Sequence, residues 1–405
     1  MSLTLLLDLD DTLLVNPADI FVSAYFQKLA AHLAPHVEPT AMIQALKAGT
    51  RQMVQNLQPD CTLKEEFDSV FYPSLHVQPE SLEATLQQFY AEVFSSLKGL
   101  TRPMPGAVKL VETALQRGYR LAITTTPLFP LTAALQRLEW AGLSPQKYPF
   151  ALVASFEHFH FAKPNPAFFA EALAILGWPE GPVLVVGDDL INDIHPAQAL
   201  GIPSFWVNPE GLPPTDSFAH PSGSGDLASL LSWLDRTPLE SLQVQNNHSD
   251  WSLEVLRSTP AVLKSLCADL ESSTWALRPA SQEWSPTEIL CHLRDVEADV
   301  NLPRLQKILE EKNPFLPGVD TDRWAGERDY FHQDGSSALR QFITHRMQGL
   351  SLLQRLSPGD WNRSARHAIF GPTQLKELVS IMAGHDQVHV RQIQSTLPHH
   401  EKPSQ

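Results

Sequence analysis

The sequence predicts two folds in series: a parallel α/β sheet with an inserted helical cap, followed by an all-α four-helix bundle. Three observations carry this reading. Up to about residue 235, short apolar runs alternate with amphipathic helical stretches, the pattern of a parallel sheet with helices on both faces. The first two apolar runs lie more than a hundred residues apart, whereas a strand-helix-strand unit needs only about 30 in all. Beyond about residue 250 the apolar period is helical throughout.

The expected strands are "LTLLL" (3–7), "RLAIT" (120–124), "FALVA" (150–154), "PVLVVG" (182–187) and "PSFWV" (203–207). Each is short, apolar and of the length expected of a strand buried on both faces. Patterns such as "PLTAALQRLEWAG" and "NPAFFAEALAILG" between them read as crossover helices. The insertion falls at about 17–100 and belongs over the carboxyl ends of the strands, where open sheets of this kind bind ligands. "GDLASLLSWLD" (225–235) closes the first domain, 1–235, and the polar stretch 236–250 reads as a linker. The second domain, 251–397, carries helices at about 252–272, 286–312, 335–356 and 373–396. Ser285, Pro286 and Glu288 supply N-cap, first-turn proline and capping-box acid for the second of these. The connection 313–333 is long for adjacent helices and is expected to be a crossover or part of a site. The tail "LPHHEKPSQ" reads as a solvated end.

With 405 residues, typical domain sizes favour two domains. The formal charge of −15 lacks the basic footprint that phosphate backbones or anionic lipids require, so neither nucleic acid nor membrane is an expected partner. Cys61, Cys267 and Cys291 are far apart, odd in number and without metal-ligand spacing, which suggests a reducing compartment. The N-terminal apolar run is too short to span a membrane and has Asp8 instead of a basic flank. The expected location is the cytosol. The sequence carries no signal for oligomeric state.

The first strand ends in "DLDDTL" (8–13). Asp8 and Asp10 share one side of an extended chain, and two carboxylates so close repel unless a cation lies between them. Three further clusters follow strands in order: "ITTTP" (123–127), "AKPNP" (162–166) and "GDDLINDI" (187–194). Each alone could be a helix cap or a turn.

Together these four clusters resemble the haloacid dehalogenase superfamily, most of whose members are phosphohydrolases, over about residues 1–235. The resemblance implies Asp8 as nucleophile and Asp10 as general acid and base, with an aspartyl-phosphate intermediate. It implies that Thr125 holds a phosphoryl oxygen and that Lys163 supplies positive charge. It further implies Mg²⁺ on Asp8, Asp188 and the backbone carbonyl of Asp10, with Asp193 and Asp189 nearby. Thr126 departs from the family pattern, standing where many relatives have asparagine at a substrate-side position. His158, His160 and His195 are expected to be surface or capping residues.

In the last helix Leu375, Leu378 and Met382 set an apolar stripe that His385 and His389 continue, four residues apart on one inward face. His292 lies at helical spacing between Ile289 and Val296. Three imidazoles facing a bundle core are either satisfied core histidines or metal ligands with a position left open. "WSPTEILCHLRDVEADV" (284–300), "PGVDTDRWAGERDY" (317–330) and "HDQVHVRQIQ" (385–394) resemble the DinB-like family of metal-binding four-helix bundles, over about 251–397. The resemblance implies a His292, His385, His389 triad, and imidazole suits zinc, nickel or iron. Asp295, Glu297 and Asp386 are candidate partners of the triad or solvated helix-face charges.

The expected function is a magnesium-dependent phosphohydrolase acting on a small phosphorylated metabolite, fused to a DinB-like metal-binding domain. The bundle either has metal- and thiol-dependent transferase chemistry of its own or is a non-catalytic regulatory or dimerisation module.

Overall fold

The computed structural model describes residues 2–211, 216, 218–245, 249–268 and 270–397. The chain forms two compact units, one of residues 1–172 and 179–245, the other of 173–178 and 246–405.

The first unit begins with β1 (Thr4–Leu7) and β2 (Leu14–Val15). The inserted helices follow as α1 (Ala18–Leu33), α2 (Pro39–Gln55), α3 (Leu63–Leu75) and α4 (Glu80–Gln88), the last running on through π and 3₁₀ turns to Leu100. Then come β3 (Arg102–Pro103), α5 (Ala107–Gln116), β4 (Arg120–Ile123), α6 (Leu131–Trp140), β5 (Leu152–Val153) and α7 (Ala167–Ile175). The unit ends with β6 (Val183–Gly187), α8 (His195–Ala199), β7 (Ser204–Val207), β8 (Gly223–Gly225) and α9 (Leu227–Leu234).

Six strands form one parallel sheet in the order β5-β4-β1-β6-β7-β8. β1 lies between β4 and β6 and is fully buried, which is why its run is continuously apolar. All five expected strands form. The sixth, Gly223–Gly225, has no side-chain pattern by which to be recognised. A second pairing, β2 with β3, joins the two ends of the insertion: Leu14 faces Pro103 and Val15 faces Arg102 in an antiparallel ribbon. Within the insertion, Thr62 and Glu65 close a reciprocal capping box at the start of α3.

The second unit contains α10 (Ser249–Cys267), α11 (Pro286–Val296), α12 (Leu302–Glu310), β9 (Phe315–Leu316), α13 (Trp324–Glu327), α14 (Gly335–Leu353), β10 (Ser364–His367), β11 (Gly371–Gln374) and α15 (Leu375–Thr396). α10, α11 continued by α12, α14 and α15 are the four long helices. The capping box of Ser285 and Glu288 starts α11 as expected. Several details differ from the sequence reading. The expected linker 236–250 contains a 3₁₀ turn at Leu239–Leu242 that buries Leu242, and α10 has already begun at Ser249 and ends at Cys267 rather than near 272. The helix expected over 286–312 changes to π geometry at Glu297–Asn301, and the fourth helix begins at Leu375 because Gly371–Gln374 is a strand. That strand pairs antiparallel with β10, and β10 pairs parallel with β9, so the bundle carries a small sheet that a helical period cannot reveal. Part of the expected linker, 246–248, and nearly all of the expected tail, 398–405, lie outside the described residues.

Candidate functional site

β1 delivers Asp8 at its carboxyl end, and the chain turns at once. The amides of Leu13 and Leu14 both donate to the Leu9 carbonyl at 2.9 Å, and Asp11 adopts a φ of +54°. Aspartate is among the few side-chain-bearing residues that tolerate this region, and Asp11 is further fixed by accepting from the Asn16 amide at 2.8 Å. The turn leaves Asp8 and Asp10 on one polar cleft of about 250 Å³, together with Thr125, Lys163, Asp188 and Asp193. Every residue proposed for this site from the sequence therefore reaches one place.

Lys163 organises it. Its Nζ donates to Asp8 Oδ1 at 2.8 Å and to Asp193 Oδ1 at 2.5 Å, with all three side chains buried. Carboxylate oxygens of Asp8, Asp188 and Asp193 lie within 4.8 Å of one another. Thr12 donates to Asp188 Oδ1 at 3.0 Å, and Trp206 Nε1 donates to the Asp188 carbonyl at 2.7 Å. Gly187 permits this approach: a Cβ there would lie 2.2 Å from Asp193 Cγ. Thr125 Oγ1 stands 3.5 Å from Asp10 Oδ2. Asp189 has a different task, since its carboxylate caps the following helical turn through the amides of Ile191 and Asn192.

The electrostatics of this cluster favour a cation. Burial raises the Asp8 carboxyl well above the ordinary aspartate range, opposed by Lys163 and reinforced by Asp193, Asp188 and Asp10. Burial and then Asp193 push Asp188 up to about 7, and burial raises Asp193 despite Lys163. One ammonium does not neutralise three converging carboxylates. A hard divalent cation with oxygen ligands fits the donor set and would restore the charged forms.

One participant escaped the sequence reading. Arg137 on α6 is buried, pairs with Asp10 Oδ2 through Nη1, and has Nε and Nη2 without a partner among the described residues. Asn16 Nδ2 donates to the other Asp10 oxygen at 2.8 Å. A signal was present: Arg137 falls on the buried stripe of Ala133, Ala134, Leu138 and Ala141, where an unpaired arginine would be costly. Among the described residues, none of the three outlying histidines belongs to a group of three or more clustered metal-ligating side chains. His158 is exposed and His195 pairs with Asp216 at 3.2 Å, but His160 is fully buried rather than superficial and bonds Glu171 at 2.7 Å.

In the second unit, α11 and α15 bring His292, His385 and His389 together. His385 Nε2 lies 3.1 Å from the Nε2 atoms of both other rings. Burial, then the neighbouring imidazoles, lower His292 to about 3 and His385 to about 2, and burial also lowers His389. These shifts all favour the neutral imidazole, and one ring nitrogen of each histidine lies within 4.8 Å of the others. His389 Nδ1 contacts Gln392 Oε1 at 2.9 Å, while His292 Nδ1 has no partner among the described residues. Trp284 covers the triad, its ring parallel to His389 at 6.2 Å and 5.0 Å from His292. A borderline-soft divalent metal fits this donor set.

None of the three carboxylates considered as partners of the triad bonds one of its rings among the described residues. Asp295 is held by Arg294, Arg328 and Tyr330, the last two supplied by the long connection 313–333. Glu297 and Asp386 are buried, not solvated, and both bind Arg346.

Comparison with known proteins places a family match on each half of the chain. Residues 5–207 match the haloacid dehalogenase-like hydrolase model and residues 256–393 match the DinB superfamily model. The first half is 28% identical over 201 residues to a phosphoglycolate phosphatase of Mesorhizobium japonicum, covering 50% of this chain and 80% of that one. It is 29% identical over 217 residues to the pyrimidine 5′-nucleotidase PynA of Streptococcus pneumoniae, covering 51% and 84%. The YfiT four-helix bundle of Bacillus subtilis aligns with 21% identity and a TM-score of 0.34, over 40% of this chain and 90% of that one.

Proposed function

The chain belongs to the haloacid dehalogenase-like hydrolase family, and from that premise we propose that it is a magnesium-dependent phosphatase of small phosphorylated metabolites. The observation that carries this reading is Lys163 bonded to both Asp8 and Asp193, with Asp188 in the same carboxylate cluster. Asp8, Asp188 and the Asp10 carbonyl would hold the ion, which when bound supplies positive charge to the phosphoryl oxygens. Asp8 attacks phosphorus as the ester P–O bond breaks, giving an aspartyl-phosphate and the free alcohol. Asp10 passes a proton to the departing oxygen and then takes one from the water that attacks the phospho-enzyme. Asn16 and Arg137 hold Asp10 in place for both steps, and Lys163 and Thr125 steady the phosphoryl oxygens.

The test is hydrolysis of a panel of phosphate esters with Mg²⁺ present and with it chelated. Asp8→Asn is expected to abolish turnover while the thermal melt stays close to wild type, because amide and carboxylate have nearly the same shape. Asp10→Asn is expected to keep phospho-enzyme formation and lose turnover about 10²- to 10⁴-fold, the usual cost of a missing acid or base. Full activity in Asp8→Asn would overturn the mechanism.

For the second unit, which matches the DinB superfamily, we infer a divalent transition-metal centre on His292, His385 and His389. The convergence of three Nε2 atoms supports it, and a protein-ligand count of three leaves a position for water or substrate.

A further inference from the structure

Above the polar cleft, within the same unit, lies a second cavity of about 630 Å³. It is a separate space of different character. Its walls come from the inserted helices, from α6 and the segment leading into it, and from the loop after β5, and they include Leu29, Leu46, Phe67, Phe71 and Phe129. The two spaces share Val22 and Phe129. Phe129 is the common wall: its ring lies 5.1 Å from the Tyr25 ring in the large cavity, while the Arg137 guanidinium, paired to Asp10, stands 4.8 Å from its centroid.

The charges in this cavity exclude one class of substrate. Lys64 is the only cation among its lining residues, and it is already paired with Asp68. The other charged linings are the carboxylates of Glu83 and Glu157, the latter engaged by the Leu131 amide. A second anionic group on the substrate would meet three carboxylates there, Asp68, Glu83 and Glu157, against one ammonium already held by Asp68. The polar atoms that remain are neutral, such as the Tyr25 and Tyr90 hydroxyls, 2.8 Å apart. Cavities of about 300–1,000 Å³ with apolar walls and a few placed polar groups are of ligand size.

We propose that the cavity receives the leaving group of the ester, and that this group is an uncharged, ring-bearing alcohol rather than a short hydroxy acid or a second phosphate. The proposal rests on the phosphatase reading for the place of the phosphoryl group beside Asp8. It makes Phe129 and Val22 the passage between phosphate and alcohol. The selectivity arises because apolar ring surface leaves water in this cavity, whereas a carboxylate loses its hydration without gaining a partner.

The experiment separates this proposal from the reading beneath it by measuring binding without turnover. Full-length Asp8→Asn protein with Mg²⁺ is titrated calorimetrically with 1-naphthyl phosphate and with 2-phosphoglycolate. The naphthyl ester is expected to bind at least tenfold more tightly. Filling the cavity with Thr50→Trp in the same background should reduce that preference to less than threefold. Should Thr50→Trp not fold, Thr132→Trp at the exposed lip serves the same purpose. Equal or tighter binding of 2-phosphoglycolate, no binding of either ester, or a preference untouched by the tryptophan in a folded variant overturns the proposal. Wild-type turnover supplies the other arm. If the naphthyl ester binds selectively yet no ester is hydrolysed, the phosphatase reading falls and the cavity assignment stands; if 2-phosphoglycolate is both better bound and hydrolysed, the reverse holds.

Discussion

Replacing Arg346 with methionine should destabilise the bundle more than any surface change, and the structure gives the size. The guanidinium is buried between two equally buried carboxylates, donating to Glu297 Oε1 at 2.7 Å and Oε2 at 3.0 Å and to Asp386 Oδ1 at 3.0 Å. A further bond runs to the Leu256 carbonyl at 3.1 Å. Methionine keeps the apolar stem and loses every one of these donors. Two carboxylates then remain out of water with no counter-charge, and breaking a buried ionic group in this way costs about 3–5 kcal/mol. The arginine is therefore a mutual support, because the same rule makes removal of all three charges far cheaper. Arg346→Met/Glu297→Gln/Asp386→Asn should recover most of the loss. Hydrogen exchange read on peptides from α11, α14 and α15 of the full-length chain resolves the bundle from the other unit and reports the change in opening free energy. A loss below about 1 kcal/mol in the single variant, against that 3–5 kcal/mol expectation, would refute the reasoning. So would a triple variant no more stable than the single one.

Three further outcomes are expected. Limited proteolysis should cut first within 236–250, where the sequence is polar, and leave two stable fragments; first cuts inside either half would contradict that boundary. Purified protein should carry one tightly held transition metal per chain, read by elemental analysis, and His385→Ala/His389→Ala should lose it; unchanged metal content would remove the triad from consideration. Burial works to raise Glu288, but its bonds to Arg278 and Ser285 win and hold it below the ordinary range. Its contribution to stability is therefore present above the unfolded glutamate pKa and is lost as pH falls through the folded one. Glu288→Gln should lower bundle stability at pH 7 and narrow the gap to wild type below about pH 4.3; a constant gap across that window would argue against the ion pair.

The strands of the main sheet were legible because each is buried on both faces, so burial writes itself as an unbroken apolar run. Asp8 and Asp10 were legible for the opposite reason, since charge at the end of such a run has no packing explanation, whereas Lys163 and Asp188 were reached only through the resemblance of their clusters to a known family. The π segment at Glu297–Asn301 left no local trace, since a five-residue change of pitch inside a long helix alters no periodicity enough to read. It does alter which side chains face inward. Glu297 lies in that segment and is buried; Asp386, on α15, is buried too, and although both were candidates for triad partners or solvated charge, Arg346, which they share, was not singled out. Arg137 was missed although its place on an apolar stripe was a signal, because that stripe does not say which carboxylate it meets, and Asp10 lies 127 positions away in sequence.

The short ribbon of β2 and β3 has a consequence for how such a protein can change. The chain leaves the sheet at Leu14–Val15 and returns at Arg102–Pro103, side by side, with the Met104 amide bonded to the Leu13 carbonyl at 3.0 Å. The whole insertion thus hangs from one narrow base whose two strands match each other in register. Asp8, Asp10, Thr125, Lys163, Asp188 and Asp193 all lie outside it. A different set of helices could be grafted onto that base, or the present ones rebuilt, without moving an atom of that cluster of carboxylates and lysine. Diversification of diet and conservation of chemistry are thereby separate evolutionary problems in this molecule, and the ribbon is the seam along which they part.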